Sequence, residues 1–574
     1  MIGLKVRPVR LRGAADARAI APFNSLDPVL ASLYVARGIT SPSELDLALQ
    51  RLAPVGSLDG VDRAVEVLMN CRQRRIVVVG DFDVDGATST ALVVRCLRDF
   101  GFADVNYLVP NRFDYGYGLT TEIVRVAARS GPALLLTVDN GVSSLEGVAE
   151  ASRLGMEVLI TDHHLPGAQL PAAATIVNPN IDGSTFASPH LAGVGVAFYV
   201  MAALGNTLQQ SGMRGAARIP ARYLDLVALG TVADVVRLDQ NNRILVTQGL
   251  RRIRAGACVA GIVALLAVAS RQRERIVSAD LGFAVAPRLN AAGRLEDMSV
   301  GIECLLTDDA AVAMRYAQVL DGINHERREI EAAMRVQAFS FVDRMDEVGL
   351  PSCVCIYDES WHQGVVGLIA SRVRERCYRP VIAFARDQDG QLKGSARSVP
   401  GIHIRDLLEA VSTACPGLVP KFGGHAMAAG LSIAHRRLEE FRALACQQLS
   451  RLYPQTDFSG ALLTDGDLPV ASMTLDFART LRDAGPWGAG FPEPLWSGDF
   501  ELVEQRTVGD AHLKLKVRPL DGNMQMDAIA FNQAGAAHRG AVRMAYRLDL
   551  NEWRGVESAQ LVVEQISNLA RTAT

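Results

Sequence analysis

Three apolar segments of the sequence each run directly into acidic or imidazole side chains. The segments are rich in Val, Leu and Ile, and they cover Ile76–Val79, Leu134–Val138 and Val158–Thr161. Continuous apolar strands that alternate with amphipathic helices favour a parallel sheet covered on both faces. We therefore predict an α/β domain, with a further strand at Val105–Val109 and a helix over Ala87–Asp99. In such a sheet, ligands gather beyond the carboxyl ends of the strands.

The first apolar segment is followed by three carboxylates within five positions, Asp81, Asp83 and Asp85. Anions crowded in this way repel one another unless a cation binds between them. Mg²⁺ and Mn²⁺ are hard cations that prefer oxygen ligands. A solvated turn or a calcium loop is the alternative, but an EF-hand loop ends in Glu where this sequence has Leu92. The cluster therefore predicts a divalent metal site.

The other two segments end in similar groups, Asp139-Asn140-Gly141 and Asp162-His163-His164. Buried charges cost several kcal/mol each unless they are paired or bound to metal. Mixed Asp and His ligation suits a pair of Mn²⁺ or Mg²⁺ ions, and two such ions can activate a water and stabilise the leaving oxygen of a phosphoester. Asp234, at the end of a predicted helix over 221–235, is either a further ligand or a helix cap.

The remaining sequence divides into further regions. A charge-dense helical stretch covers 300–345, and a second α/β pattern follows with strands at Val354–Tyr357 and Pro380–Phe384. The last part alternates apolar and polar residues with period two, which favours a small β-barrel. We predict an N-terminal extension (1–50), a first α/β domain (51–300), a connecting helix (301–350), a second α/β domain (351–455) and a barrel (456–574).

Charge and cysteine content restrict the class of protein. The 59 Lys and Arg against 62 Asp and Glu give a net charge of -3, which excludes a uniformly basic nucleic-acid coat but not a local basic groove. Nine scattered cysteines without a CxxC pair indicate reduced thiols in a cytoplasmic protein. The sequence has neither a secretory signal nor an apolar run of about 18 residues, so we expect no membrane association.

One stretch of the first domain is rich in arginine. Between residues 271 and 294 the sequence contains five arginines but only two acidic residues, Glu274 and Asp280. The arginines are Arg271, Arg273, Arg275, Arg288 and Arg294. A groove that tracks phosphates has this composition, although a solvated helix face explains the first three equally well. Around Arg288 and Arg294, small residues let a ligand approach the backbone, which favours function. Tyr115 and Tyr117, close to Arg112, either stack a base or fill a core.

Candidate substrate contacts also occur in the later regions. Arg397, which follows Ser395, can donate two hydrogen bonds to one phosphate. Gly424 and His425 offer backbone amides and an imidazole to an anion, with a structural turn as the alternative. Lys514 and Lys516 fit a nucleic-acid surface on the barrel, but charged outer faces are ordinary in any barrel.

Taken together, the motifs resemble those of a known group of enzymes. Asp81–Gly86, Val138–Gly141 and Asp162–His164 resemble the DHH phosphoesterase superfamily. Three later segments resemble the substrate domain that accompanies the catalytic domain in this superfamily. They are Trp361–Gly367, Ser395–Ser398 and Gly423–Gly430. Four further segments resemble the bacterial single-strand-specific 5′→3′ exonucleases of the superfamily. They are Pro110–Arg112, Gly116–Leu119, Arg288–Arg294 and Pro486–Pro494. The likeness extends from about residue 50 to the C-terminus. Phe82 replaces a frequent Tyr, and Trp487 and Phe491 vary a Pro-Phe-Gly-x-Gly-Asn pattern.

The resemblance implies a role for each candidate residue. Asp81 and Asp83 would bind one ion, Asp85, His163 and Asp234 the second, and Asp139 both, while His164 would contact the phosphate. The implied substrate contacts lie in three regions: Arg112, Arg288, Asn290 and Arg294; Ser395, Arg397, Gly424 and His425; Lys514 and Lys516 of an OB-fold.

The implied activity is a single-strand-specific 5′→3′ DNA exonuclease that releases 5′-mononucleotides by two-metal hydrolysis in DNA repair and recombination. We expect a cytoplasmic monomer that binds single-stranded DNA, with a helicase and a single-strand-binding protein as candidate partners. One alternative is a phosphodiesterase for short oligonucleotides, cyclic dinucleotides or pyrophosphate, but such substrates need neither a barrel nor a linking helix. The other alternative is a non-catalytic binding subunit with the same fold. Loss of metal ligands would mark that class, whereas here every implied metal ligand is present.

Overall fold

The structure, a computed structural model, describes residues 6–13, 17–111, 118–347, 349–387, 389–509, 511–535 and 538–569. The candidate residue Arg112 lies outside this part of the chain, as do Tyr115 and Tyr117. The chain forms two compact units. The first comprises 1–293, 297–320 and 461–574, and the second comprises 294–296 and 321–460.

Seventeen strands are described, and we number them in chain order. They are β1 (Val9–Leu11), β2 (Arg75–Val79), β3 (Asp104–Leu108), β4 (Leu134–Val138), β5 (Glu157–Thr161), β6 (Thr175–Val177), β7 (Val354–Tyr357), β8 (Val381–Arg386), β9 (Gln391–Arg397), β10 (Lys421–Gly424), β11 (Ala428–Ala434), β12 (Leu462–Thr464), β13 (Trp496–Val508), β14 (His512–Pro519), β15 (Met526–Ala530), β16 (Ala541–Trp553) and β17 (Val556–Asn568).

Eighteen α-helices are described, together with one π-helical turn at Leu281–Val285. They are α1 (Ala17–Ile20), α2 (Pro28–Ala36), α3 (Val61–Asn70), α4 (Val84–Asp99), α5 (Thr121–Ala128), α6 (Leu145–Arg153), α7 (Gly193–Gln210), α8 (Leu224–Ala233), α9 (Gln240–Arg254), α10 (Ala260–Val268), α11 (Ser278–Asp280), α12 (Ala286–Leu295), α13 (Ser299–Leu306), α14 (Ala310–Asp346), α15 (Val366–Cys377), α16 (Ile404–Ala414), α17 (Leu438–Leu452) and α18 (Leu475–Asp483).

The first unit contains the predicted parallel sheet, with strand order β3-β2-β4-β5-β6. Alternate residues of β2 enter different cores: Ile76 and Val78 pack with α4 and α7, whereas Val77 and Val79 pack with α5 and α6. The sheet is therefore covered on both faces, and the predicted fold class is confirmed. The chain turns to opposite sides after β2 and after β4, so the gap between these strands is a topological switch point, where open α/β sheets bind ligands.

The C-terminal part of the first unit contains a closed five-stranded barrel, ordered β13-β14-β15-β17-β16. Leu513, Leu515 and Val517 of β14 point into its core and alternate with partly exposed basic residues, which confirms the predicted barrel. The segment that precedes it anchors the barrel to the rest of the unit. Trp487 stacks on Phe491 with ring centroids 5.1 Å apart, and Tyr34 of α2 stacks against both.

The second unit is built on a mixed sheet, ordered β10-β11-β9-β8-β7, in which only β7 and β8 pair in parallel. Cys353 and Cys355 enter one core, and Val354 enters the core on the opposite face. The two cysteines therefore occupy alternate positions of an extended segment, and all nine cysteines are free thiols, as the absence of a CxxC pair predicted. In the described part of the chain, none of the helices combines the length and apolar character needed to cross a bilayer.

A buried acid in α8 gives the first unit a pH-dependent stability. Burial raises the pKa of Asp225 to about 6, although the amide of Val259 donates to its Oδ2 at 2.7 Å. Because the folded pKa exceeds the unfolded value of about 3.9, the carboxyl destabilises the fold as the pH rises through 4 to 6. We expect Asp225→Asn to raise the free energy of unfolding by about 1–3 kcal/mol at neutral pH and to leave it unchanged below about pH 4. Urea titrations at both pH values measure this, and an equal effect at both would contradict it.

Candidate metal centre

The acidic cluster lies at the switch point of the parallel sheet. Asp81 follows β2, Asp139 follows β4 and His163 follows β5, and these neighbouring parallel strands end at one edge. Asp234 is the C-cap of α8, so a helix end adds a further carboxylate. The structure thus brings all the sequence-predicted ligands to one place.

The helix after β2 begins earlier than its sequence pattern predicted. α4 starts at Val84 rather than Ala87, because the Asp83 side chain caps it by accepting a hydrogen bond from the Gly86 amide at 3.1 Å. A Cβ at Gly86 would lie 2.6 Å from the backbone of Asp81, so this position requires glycine. The earlier start places Asp85 in the first helical turn, where its carboxylate points into the cluster.

Three overlapping sets of donor atoms can each hold a metal ion. The sets are Asp81, Asp83 and Asp139; Asp85, His163 and Asp234; and Asp139, His163 and His164. Within each set the donor atoms all lie within 4.8 Å of one another. Asp139 and His163 each belong to two sets, so two adjacent ions would share ligands.

His163 lies at the centre of this arrangement. Its Nε2 is 3.1 Å from Asp139 Oδ1, 3.5 Å from Asp234 Oδ2 and 4.0 Å from Asp85 Oδ2. Burial, followed by the charge of His164, lowers the pKa of His163. A neutral imidazole is the form that binds metal ions.

The electrostatics of the carboxylates shows whether the donors fit a cation. Burial and then the charge of Asp234 raise the pKa of Asp85 to about 7, and burial and then Asp83 raise that of Asp234 to about 7. Burial and the neighbouring aspartates raise the pKa of Asp139 well above its usual range. These carboxylates destabilise one another when ionised without a cation between them. Buried carboxylate oxygens with an imidazole nitrogen fit Mn²⁺ or Mg²⁺.

The backbone of β4 is strained where it enters the centre. Asp139 adopts a positive φ of 61°, a conformation that is uncommon for residues other than glycine and clusters at functional sites. Asn140 stabilises this turn, since its side-chain amide donates to the carbonyls of Val79 and Val138. That pair of hydrogen bonds ties β2 to β4 directly beneath the cluster.

The N-terminus of α7 holds Asp85 in place. The amides of Gly193 and Val194 donate to the two carboxylate oxygens of Asp85 at 2.6 and 2.9 Å. A Cβ at Gly193 would lie 2.6 Å from Asp139 Cβ and Oδ1, so the same helix end also contacts Asp139. Sequence reasoning missed this contribution, and its only signal was Gly193-Val194-Gly195 at the start of an apolar helix.

Asp162 belongs to the Asp162-His163-His164 motif but was not among the predicted site residues. Its buried carboxylate accepts from the amides of Val142, His163 and His164, and its Oδ1 is 2.7 Å from His164 Nδ1. Burial is the largest single influence and opposes ionisation, but the hydrogen bond from His164, the charges of both histidines and the Val142 amide together outweigh it and lower the pKa of Asp162 to about 2. Burial likewise acts to lower the pKa of His164, but the hydrogen bond to Asp162 and the charges of Asp162, Asp234 and Asp81 together raise that pKa to about 9. Asp162 therefore orients His164 as an imidazolium beside the cluster.

The arginine-rich stretch separates into two parts. Arg271, Arg273 and Arg275 form ion pairs with surface acids, which supports the solvated alternative for them. The part of α12 that lies in the first unit carries Arg288 and Asn290 and passes directly against the cluster, since a Cβ at Gly293 would lie 1.8 Å from the Phe82 carbonyl oxygen. Arg294, the next residue of this helix, belongs to the second unit. Arg288 is mostly buried and donates to the Ala284 carbonyl.

In the second unit, the ends of three neighbouring strands bring the candidate phosphate contacts to one end of the sheet. Arg397 of β9 pairs with Ala428 of β11, and Gly424 of β10 pairs with Ala429. Arg397 donates to Ser395 Oγ at 3.0 Å and to the Ala396 carbonyl at 2.8 Å. The His425 amide, next to Gly424, donates to Ala428 at 2.8 Å. Ser395, Arg397, Gly424 and His425 therefore share one end of this sheet.

The predicted basic face of the barrel is partly neutralised. Lys514 and Lys516 are partly exposed on β14, and Lys514 Nζ lies 3.6 Å from Asp527 Oδ2 on β15. Arg518 of the same strand forms an ion pair with Glu501.

Comparisons with known proteins place the chain in a family. Three family profiles match it: DHH family, N-terminal domain, at residues 75–231; DHHA1 domain at 350–451; and RecJ OB domain at 464–565. The single-stranded-DNA-specific exonuclease RecJ of Dickeya dadantii is 51% identical over 569 residues, covering 97% of this chain and 99% of that protein. The RecJ of Escherichia coli is 50% identical over 567 residues, covering 97% and 98%. The chain belongs to the RecJ family.

Solved RecJ structures contain the metals that the donor set predicted. RecJ of Thermus thermophilus in complex with Mn²⁺ superposes with a TM-score of 0.82 at 29% identity, covering 98% of this chain and 79% of that chain. The complex of the same protein with Mg²⁺ gives a TM-score of 0.75 at 28% identity, covering 98% and 78%. The predicted DHH superfamily, fold class and class of cofactor are thereby confirmed at the level of the RecJ family.

Proposed function

We propose that this chain is a single-strand-specific 5′→3′ DNA exonuclease that uses two divalent metal ions to release 5′-mononucleotides. The observation that carries the proposal is the set of overlapping donor clusters at the switch point, complete in a chain 50% identical to RecJ of Escherichia coli. A non-catalytic member of the fold would not need to keep mutually repelling carboxylates buried together.

Two of the three donor sets suit the two ions. Asp81, Asp83 and Asp139 would hold one ion, and Asp85, His163 and Asp234 the other. Because Asp139 Oδ1 lies 3.1 Å from His163 Nε2, Asp139 would be close enough to serve the second ion as well. His164 is better suited to the substrate, because its Nδ1 lies against Asp162 and its raised pKa keeps it cationic. When bound, such ions activate the attacking water and stabilise the leaving oxygen of the phosphodiester.

The protein's own groups position the reaction. The two amides of α7 fix the carboxylate of Asp85, and Asp162 directs the His164 imidazolium toward a phosphate oxygen. Asn290 and Arg294, on the helix that passes Phe82, would hold the scissile region. In the second unit, the shared edge with Ser395, Arg397, Gly424 and His425 would bind a further phosphate, for which the Arg397 guanidinium has suitable geometry.

The barrel would bind the part of the single-stranded DNA that lies beyond the scissile phosphodiester. We expect Lys514→Ala to weaken single-strand binding and to reduce the slope of log K against log salt by about 0.7 for a lost phosphate contact. Asp527→Ala is the matched control, since it removes the carboxylate partner of Lys514 and should not weaken binding. Fluorescence anisotropy with oligo(dT) at several salt concentrations measures both variants. An unchanged slope for Lys514→Ala would mean that this face does not contact DNA.

The proposed polarity and strand preference can be tested directly. The purified chain is incubated with Mn²⁺ and with single strands labelled at the 5′ or 3′ end, with the matching duplex, and with a cyclic dinucleotide. We expect early release of the 5′ label as a mononucleotide, late release of the 3′ label, and little digestion of the duplex. Equal release of both labels, or faster turnover of the cyclic dinucleotide, would overturn the proposal.

The proposal extends to the cellular role of the enzyme and to its partners. We infer that the enzyme acts as a cytoplasmic monomer in DNA repair and recombination, on single strands that a helicase exposes and a single-strand-binding protein covers. Sedimentation of the purified chain tests the monomer. Faster digestion of duplex DNA when a helicase is added would support the helicase as a functional partner.

A further inference from the structure

One continuous helical segment of the first unit, from Ser278 to Gly293, borders the metal centre at two points. At its beginning, a Cβ at Gly282 would lie 3.2 Å from Val232 Cγ1, two residues before Asp234. Near its end, Gly293 packs on the carbonyl of Phe82, between Asp81 and Asp83. The segment therefore forms one rim of the centre.

This rim presents apolar side chains to solvent. Phe283, next to Gly282, is 83% exposed, the highest value among the large apolar side chains that the structure describes. Val235, next to Asp234, is 68% exposed. A single exposed apolar residue needs no explanation, but here the π-helical turn that carries Phe283 packs against α8, and Val235 follows the end of α8 beside a candidate ligand.

The backbone is irregular at both residues. Phe283 lies in the π-helical turn Leu281–Val285, and such turns occur frequently at functional sites. Val235 has a φ of 62°, which is unfavourable for a β-branched residue. Strain of this kind persists where the surrounding structure enforces it and clusters at sites that bind ligands.

We propose that Phe283, supported by Val235, forms a stacking subsite for one nucleobase of the single-stranded substrate; this rests on the proposed exonuclease function. The phosphates would bind at the metal centre and at the polar groups of α12, which would leave the exposed ring of Phe283 for the bases, the part of single-stranded DNA that has an apolar π surface. Every base has such a surface, so stacking tolerates any sequence, as successive removal of nucleotides requires. Bases of a duplex are already paired and stacked, so this subsite would also favour single strands.

The subsite predicts a selective defect. We expect Phe283→Ala to raise the KM for single-stranded DNA by about 5- to 100-fold, the range that corresponds to the loss of one base stack. The kcat, and the turnover of bis(p-nitrophenyl) phosphate, which carries no base, should stay within about twofold of the wild-type values. Phe283→Trp should keep the KM of the wild-type chain, because a larger aromatic ring stacks on a base at least as well as phenylalanine. Leu154→Ala, an exposed apolar position at the C-cap of α6, is the matched control and should leave all values unchanged.

Substrates with missing bases test the subsite independently of folding. Replacing the nucleotides nearest the 5′ end by abasic residues, one at a time, should raise the wild-type KM at one position and have no further effect in Phe283→Ala. If Phe283→Ala has the wild-type KM, or is as sensitive to every abasic position as the wild type, the inference is wrong although the exonuclease assignment stands. If the wild-type chain fails to digest single strands at all, the proposed function itself is wrong.

Discussion

Asp139→Asn is expected to lower the rate of single-strand digestion by about 10³-fold or more, because Asp139 belongs to two of the donor sets and a metal centre supplies several kcal/mol of transition-state stabilisation. Asn keeps the size of the side chain and tolerates the left-handed backbone at this position, so the fold should persist. The substitution also removes a buried carboxyl group whose ionisation its neighbours oppose. We therefore expect no loss of thermal stability in EDTA.

Rates and strand binding together test this prediction. Single-turnover digestion of labelled oligo(dT) should fall, whereas the Kd for the same strand should change by less than about threefold, since the arginines and lysines that would bind phosphates remain. Asp104→Asn, which removes an exposed ion pair with Arg75 at the start of β3, is the matched control and should keep full activity. Retained turnover in Asp139→Asn would remove Asp139 from the metal centre.

Gly193→Ala is expected to lower kcat/KM by about 10²-fold, although the residue carries no functional group. The new Cβ would lie 2.6 Å from Asp139, so either Asp139 turns away or the start of α7 retreats and its amides release Asp85. Displacement of a reacting group by about 1 Å costs a factor of this size. The affinity for Mn²⁺ should fall with the rate, since both alternatives displace a proposed ligand.

A nearby glycine of the same helix provides the control. The atom nearest to a Cβ at Gly195 would be Leu191 Cδ2 at 2.9 Å, which is the end of a side chain rather than a candidate ligand. Both glycines lie in α7, where alanine has the higher helix propensity, so helix propensity itself cannot explain a loss in one variant alone. Normal activity in Gly193→Ala, or equal losses in both variants, would contradict the role assigned to the start of α7.

The sequence predicted much of the metal centre because the relevant information is local. Each candidate ligand of the parallel sheet follows an apolar strand, and parallel strands end at one edge, so Asp81, Asp139 and His163 had to converge. Asp234 could not be settled in this way. A helix cap and a ligand have the same sequence signature, and only packing places it 3.5 Å from His163 Nε2.

What sequence reasoning missed depends on contacts between distant segments. Asp85 is held by amides 108 and 109 positions away, and backbone amides carry no side-chain signal. The roles of Asp162 and His164 follow from one hydrogen bond, whereas the motif alone does not show which of its members faces the cluster. Phe283 is exposed within a π-helical turn, and a pattern with a period of 3.6 residues does not predict such a turn.

The number of Mn²⁺ ions bound per chain is the most direct test of the two-metal assignment. Titration of the metal-free chain, followed by electron paramagnetic resonance of free Mn²⁺, should show two ions bound, with exonuclease activity appearing as both sites fill. Asp139→Asn should bind fewer than two ions at the same concentrations. Full activity with one ion per chain, or digestion that continues in EDTA, would contradict the assignment of these carboxylates to a two-metal centre.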